Sequence, residues 1–137
     1  MTLEVPQQSL EFTLQDLRQM INEALPEAHL EIQIQGGDLQ QEGITRNQQI
    51  RNLQISDGTV SDILTAIVTR ANPVAATGPG DPTQRLVWVI DPQTDGPGPR
   101  VLITTRSGAE RRQIRLPAVF GDPNAGARRK SAGKTLH

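Results

Sequence analysis

The chain has 137 residues, of which 35% are hydrophobic and 21% charged, and its formal net charge is −1. This length suits one domain with its own core, and the composition excludes an intrinsically disordered chain. Cysteine is absent, which excludes disulfides, thiol nucleophiles and cysteine-type zinc centres. No stretch approaches about 18 consecutive apolar residues, so we expect a chain that does not span a membrane.

The first part of the chain predicts a strand, a helix and a second strand. Residues 3–12 have the pattern of a short strand and a turn, and Pro6 favours an edge position. Thr13 is predicted to cap the following helix, because an acid stands three residues after it. Apolar residues then recur at helical spacing until Pro26. Residues 30–35 alternate between apolar and polar, which predicts a half-buried strand.

The middle of the chain predicts a helical turn, a strand and the clearest helix. Asp38 is predicted to cap one turn that ends at Gly43. Residues 48–56 have the composition of a strand, but their apolar spacing slips by one, which indicates a bulge or a late start. Turn and cap residues before Val60 and a continuous apolar stripe predict a second helix, ended by the Asn-Pro pair at 72–73.

Two loops rich in proline and glycine, at 73–84 and 92–99, flank a short apolar segment at 86–90. This segment is apolar on both faces, so we predict a central strand. Residues 100–105 are its predicted hairpin partner. The strands at 30–35 and 100–105 carry no proline that would protect an exposed sheet edge.

The last part of the chain predicts a turn or short helix at 106–112 and a final strand at 113–120. The predicted order is β-α-β-(turn)-β-α-β-β-β. We therefore expect an α+β fold over residues 1–120, with two amphipathic helices packed on small mixed β-sheets. Residues 121–137 lack an apolar stripe and are predicted to form a flexible basic tail.

The predicted core combines both helices with the apolar segment at 86–90. Phe12 is also expected to be a core residue. The mutually buried set is predicted to be Leu17, Ile21, Ile63, Leu64, Ile67, Val68 and Trp88.

Catalytic chemistry is not expected from these residues. His29 is the only histidine before the last residue, so it has no partner histidine or cysteine for a metal site. No serine stands in a Gly-x-Ser-x-Gly setting. We expect no catalytic residue, no metal, no cofactor and no small-molecule substrate.

Charge is distributed unevenly along the chain. Residues 1–69 carry ten acids and three bases, whereas residues 70–137 carry five acids and eleven bases. Such a split is typical of a nucleic-acid-binding arm or of a surface that attracts copies of the same molecule. We expect an interaction surface made of five arginines: Arg100, Arg106, Arg111, Arg112 and Arg115.

Two classes of function stay open. The first is a structural or interaction module that assembles with copies of itself or docks onto a partner. The alternative is a small α+β nucleic-acid-binding domain that uses the basic C-terminal half. Aromatics interleaved with the basic residues, or a GXXG loop, would favour nucleic acid, and the sequence has neither.

Several stretches resemble one known kind of domain in their order and spacing. They are LEVPQQSLEFTLQDLRQMI, LEIQIQGGDLQQEGI, LQISDGTVSDILTAIV, the pair LVWVIDP and RVLITT, and QIRLPAVF. The third, a strand, a polar turn and a helix, is the closest match. Together they resemble the secretin and TonB short N-terminal domain and the related ring-building domains of secretins. In that resemblance QIRLPAVF corresponds to the strand that leads out toward a following domain.

The resemblance covers about residues 1–120 and implies a function without catalysis. It implies a periplasmic or envelope-associated module of secretion systems that packs against copies of itself or an envelope protein. It carries over no catalytic residue. The chain starts without a signal peptide, so we expect a segment excised from a longer protein. A cytoplasmic location stays open as the alternative.

Overall fold

The computed structural model describes residues 2–92 and 96–121. The tail predicted at 121–137 therefore lies outside the described residues from position 122 onward. The described part is an α+β fold, as predicted. Its elements in chain order are β1 (Leu3–Ser9), α1 (Leu10–Ala24), β2 (Glu31–Ile34), α2 (Gly36–Gln41), β3 (Gln49–Ile55), α3 (Val60–Ala71), β4 (Leu86–Ile90), β5 (Arg100–Thr105), α4 (Arg106–Arg111) and a 3-10 turn (Ala118–Phe120).

The strands of the described residues form two sheets, with the two long helices between them. One sheet pairs β1 with β3 antiparallel, and the other has the order β2-β5-β4. Within the second sheet, β5 is parallel to β2 and antiparallel to β4. Helix α1 contacts β1 and β2, whereas α3 contacts β3 and β4. Each helix therefore bridges the two sheets, and the core lies between the helices and the strands.

Helix α1 begins one turn earlier than predicted, because Ser9 and not Thr13 is its N-cap. The Ser9 hydroxyl accepts a hydrogen bond from the Phe12 amide at 3.2 Å. Thr13 is buried inside the helix and donates its hydroxyl to the Ser9 carbonyl at 2.8 Å. The sequence pattern was misleading because β1 remains paired to β3 as far as Ser9, which leaves no separate turn.

Phe12 is 56% exposed, so its expected place in the core was wrong. It stands two residues after Leu10, which is fully buried. Two residues turn the helix by roughly 200°, which places Phe12 on the face opposite the core. Asp38 is likewise inside α2 and not at its N-cap, which is Gln35.

The slip in β3 is not a bulge, because β1 and β3 keep one register along their length. Pro6 faces Asn52 at the point where the apolar spacing slips. Asn52 has a φ of 54°, a left-handed conformation that asparagine tolerates better than most residues. Proline has no amide hydrogen to contribute to the ladder. The change of face is therefore made by one backbone residue, without an insertion.

Strand β4 is an edge strand and not the central strand predicted for 86–90. The central strand is β5, and both of its edges are occupied. Segment 86–90 is apolar on both sides because β4 contacts α3 as well as α4. Burial on two faces is thus a consequence of the helices and does not require a neighbouring strand on each side.

The strand predicted at 113–120 is absent from the described structure. Those residues run without strand pairing into the 3-10 turn, and Phe120 is fully buried. Its ring meets Trp88 edge to face, with ring centroids 6.1 Å apart. The apolar alternation here reflects packing against the core, since Ile114 and Leu116 are partly buried against it and Phe120 is fully buried. This result removes the strand expected from the QIRLPAVF resemblance.

The predicted core is confirmed. All seven residues proposed for it are less than 9% exposed. Helix α3 contributes most of them and begins with a complete capping box between Thr59 and Asp62, as its sequence indicated. The indole of Trp88 donates to the Thr65 hydroxyl at 3.0 Å, which satisfies the polar atom of this large side chain.

We predict that Ile67→Ala lowers the free energy of unfolding by about 2–5 kcal/mol, because a fully buried side chain is lost and a cavity remains. Ser61→Ala, at an exposed position of the same helix, should change it by less than about 0.5 kcal/mol. Urea denaturation of both variants measures the difference. A similar small loss for both would show that α3 does not anchor the core.

Candidate functional site

The five arginines proposed as an interaction surface are not brought together. Arg100 and Arg106 stand at opposite ends of β5. They are six residue steps apart along extended backbone, which corresponds to roughly 20 Å. Arg111 and Arg112 end α4, and Arg115 follows in the segment leading to the 3-10 turn. Four of the five are engaged by other parts of the same chain, as their contacts show.

Arg100 joins the start of β5 to both of its neighbours in the fold. Its guanidinium lies 3.4 Å from the Glu31 carboxylate of β2 and 3.5 Å from the Asp91 carboxylate after β4. The pairs are partly exposed, so each contributes only about 0–1 kcal/mol.

Arg106 holds the long loop between α3 and β4 against the C-terminal segment. Its guanidinium donates to the carbonyls of Gln84 at 2.7 Å and Phe120 at 2.8 Å. It also donates to the Pro79 and Asp81 carbonyls, at 2.8 and 3.1 Å. Burial lowers the pKa of Arg106, against the opposing charge of Asp81. Its donors are therefore used inside the fold.

Arg111 and Arg112 converge on Asp38, which is only 8% exposed. Arg112 donates to the Asp38 carboxylate at 2.9 Å and Arg111 at 3.2 Å. Thr104 of β5 donates its hydroxyl to the same carboxylate at 2.6 Å. Burial pushes the pKa of Asp38 upward, but the hydrogen bonds from Arg112, Thr104 and Arg111 and the charge of Arg112 hold it below its usual value.

This cluster needs a glycine in α4. A Cβ on Gly108 would collide with the Thr104 hydroxyl and the Asp38 carboxylate. The missing side chain therefore allows α4 to approach β5 closely enough for its two arginines to reach α2. The cluster joins α2 to β5 and α4, which lie more than 55 residues later in the chain.

The uneven charge of the chain is thus partly neutralised within one molecule. Glu31 and Asp38, from the acidic half, bind arginines from the basic half. Within residues 2–92 and 96–121, the Arg115 side chain has no hydrogen bond or ion pair. The arginines serve mainly to hold the fold together, which leaves less charge for a partner.

A different surface stands out, which we call the α1 face. It consists of the exposed side of α1 together with the free edges of β1 and β2, which α1 contacts. Phe12 is its exposed aromatic residue. Its other exposed helix residues are Gln15, Asp16, Arg18, Gln19 and Glu23.

Two grooves border α1 on this face and carry opposite charge. The groove beside β2 has a volume of about 260 Å³ and holds Arg18 and Arg46 with one acid, Glu11. The groove beside β1 has a volume of about 330 Å³. Its charged residues are all acids: Glu4, Asp16 and Glu23.

Sequence reasoning missed this face because an exposed residue leaves no signature of its own. Phe12 was assigned to the core by its chemistry. The helical spacing counted from Leu10 would have placed it outward, had the start of α1 been known. The sequence indicated an unprotected edge at 30–35, but it assigned the same property to 100–105, which is the central strand, and only the strand order separates the two.

A group of side chains suited to metal binding is not assembled in the described part of the chain. No group of three or more histidine or acidic side chains there could hold a metal ion. His29 is exposed on the turn before β2, with a φ of 48°.

Comparisons with protein-family models, curated proteins and solved structures find no significant match to this chain. Among the described residues, no helix is long and apolar enough to cross a membrane.

We predict that the Asp38 cluster makes stability depend on pH. The pKa of Asp38 is lower in the folded chain than its ordinary 3.8. Its contribution is therefore complete above that value and is lost as the pH falls through the folded pKa. Asp38→Asn should lower the free energy of unfolding at pH 7 by about 1–3 kcal/mol.

Urea denaturation between pH 7 and pH 2 measures both effects. The variant should show a smaller loss of stability on acidification than the original chain. Asp16→Asn, at an exposed position of α1, is the control and should keep the original pH dependence. Equal acid sensitivity of the original chain and Asp38→Asn would exclude the cluster as its source.

Proposed function

We propose that this domain is a non-catalytic interaction module of the secretin N-terminal kind, acting in the periplasm or envelope. It docks onto an envelope or secretion partner, or onto copies of itself, through the α1 face. The observation that carries this proposal is the exposed ring of Phe12 on a helix that contacts an edge strand of each sheet.

The element order supports the proposal. From residue 3 to 105 the chain follows the order on which the resemblance was based, with α2 in the place of the predicted turn. The two long helices and the small mixed sheets also agree with it. The resemblance implied a module that packs against other chains, and the α1 face offers a surface for that role.

The physical character of the α1 face suits protein contacts. Burying an exposed phenylalanine contributes about 1.5–3 kcal/mol, and free strand edges offer unpaired backbone groups to another chain. Aromatic residues surrounded by polar groups are typical centres of protein interfaces. The face therefore combines apolar area with directional hydrogen bonding.

The alternative, nucleic-acid binding through the basic half, loses support from the arginines. Phosphate contacts require free donors on one surface. Arg106, Arg111 and Arg112 donate instead to groups of the same chain, and Arg100 lies at the far end of β5 from Arg106. The geometry therefore favours a protein partner.

We predict that the domain associates weakly with itself at high concentration and that Phe12→Ser reduces this association. The reduction should be about tenfold in the association constant, the equivalent of about 1.4 kcal/mol. Sedimentation velocity over a range of concentrations measures it. Added salt should change the association little, since much of the charge is paired within each molecule.

Val74→Ser is the matched control for this experiment. Val74 is 43% exposed on the loop that follows α3, and its replacement should leave the association unchanged. A strict monomer that shows salt-sensitive binding to single-stranded RNA would refute the interaction module and support the nucleic-acid alternative.

A further inference from the structure

We propose that the groove between α1 and β2 binds an extended, acidic peptide segment of a partner protein as a fourth strand of the β2-β5-β4 sheet. This inference rests on the proposed function and names the chemistry of the partner. It is carried by the backbone groups along the free edge of β2 and by the charge of the groove.

The pairing of β2 with β5 determines which backbone groups point into the groove. The amides of Glu31 and Gln35 donate to β5-side carbonyls, at 3.0 and 2.9 Å. Backbone groups alternate in direction along a strand, so residues 31, 33 and 35 bind toward β5. Ile32 and Ile34 therefore direct their amides and carbonyls toward the free edge.

Side chains close this edge at both ends. Asn22 of α1 binds Leu30 as another strand would, since it accepts from the Leu30 amide at 2.9 Å and donates to the Leu30 carbonyl at 3.0 Å. At the other end, Arg46 donates to the Ile34 carbonyl at 3.5 Å.

A window remains between these ends. In the described part of the chain, no side chain binds the Ile32 amide, the Ile32 carbonyl or the Ile34 amide. The side-chain caps terminate the edge without covering its centre. The window provides three hydrogen bonds for a short extended segment, which is the usual mode of strand addition.

The side chains of the groove define the sequence that fits it. Partner residues opposite Ile32 and Ile34 have side chains on the same face of the sheet as those two residues. Both isoleucines are half-buried and line the groove together with Leu14 of α1. At least one of the two partner residues whose side chains face the groove should therefore be apolar.

The positive charge of the groove favours an acidic side chain on the other partner residue that faces it. Arg46 is paired with Glu11 at 3.5 Å. Arg18 lines the same groove, is exposed, and has no hydrogen bond or ion pair within the described residues. A carboxylate between the two arginines would gain a charge-assisted hydrogen bond, whereas a lysine there would be repelled.

A second folded copy does not suit this edge. Helix α1 contacts β2, so pairing two β2 edges would bring two α1 helices together. Adjacent strands lie about 4.8 Å apart, whereas packed helices need about 8–10 Å between axes. A lone extended segment carries no helix of its own and avoids this conflict.

The test uses a capped threonine-rich heptapeptide with one valine and one glutamate two positions apart. A second peptide carries lysine in place of the glutamate. Titration into the labelled chain, followed by amide NMR shifts, reports both affinity and location. We expect the glutamate peptide to shift the Ile32 and Ile34 amides and to bind at least about tenfold more tightly than the lysine peptide.

Two pairs of variants separate the roles of charge and backbone. Arg18→Glu should reverse the preference between the peptides. Arg51→Glu, an equal charge change at an exposed position of β3, should preserve it. Ile34→Pro removes an amide hydrogen at the free edge without removing a β2–β5 bond, and it should weaken binding. Ile34→Val keeps that amide and should bind normally.

Three outcomes would overturn the proposal. They are equal affinity for the two peptides, shifts confined to other residues, and no shift at Ile32 or Ile34 for the glutamate peptide. Shifts at these amides that grow with protein concentration alone would assign the edge to a second copy. If Phe12→Ser still weakens self-association in any of these cases, the interaction module stands and only its peptide site is lost.

Discussion

The central position of β5 is the constraint on which the rest of the structure depends. This strand is paired on both sides, and residues 101–105 are buried. Segment 113–120 is not part of this sheet and packs over it, with the Phe120 ring against Trp88. The strands at the two edges of the sheet, β2 and β4, then carry its free edges. Among the described strands, none pairs with β2 on the side where the groove beside α1 lies.

The ends of β5 also explain what the charges do. Arg100 is the first residue of the strand and pairs with Glu31 of β2 and with Asp91, which follows β4. Arg106 follows it and binds carbonyls of the loop after α3. Asp38, through Thr104 and two arginines, joins α2 and α4 to the same strand. Attraction between the acidic and basic halves of the chain is therefore used to close the fold.

The α1 face offers contacts that differ from those of the arginines. Its apolar anchor, Phe12, is exposed, and its backbone donors lie on a sheet edge. Side chains limit that edge, since Asn22 binds one end and Arg46 the other. A partly capped edge gives specificity, because a free edge of greater length would invite pairing with any extended chain.

Much of the fold could be predicted because it depends on residues that are close together in sequence. The α3 helix, with its capping box and continuous apolar stripe, is set by residues that are near in sequence. The β4–β5 hairpin and the buried side of α1 follow for the same reason. The start of α1 was misjudged because Ser9 serves as the end of a strand and as a helix cap at once.

The sequence by itself determined the helices and strands between residues 3 and 105 to within a few residues, and it determined the buried faces of α1 and α3. Only the tertiary structure decided that β5 is central and that Phe12 faces solvent. It also decided that four arginines bind groups of the same chain. Strand order and the pairing of distant charges depend on contacts between residues far apart in the chain. Local periodicity reports which face of an element is buried, but it contains no information about what lies against that face.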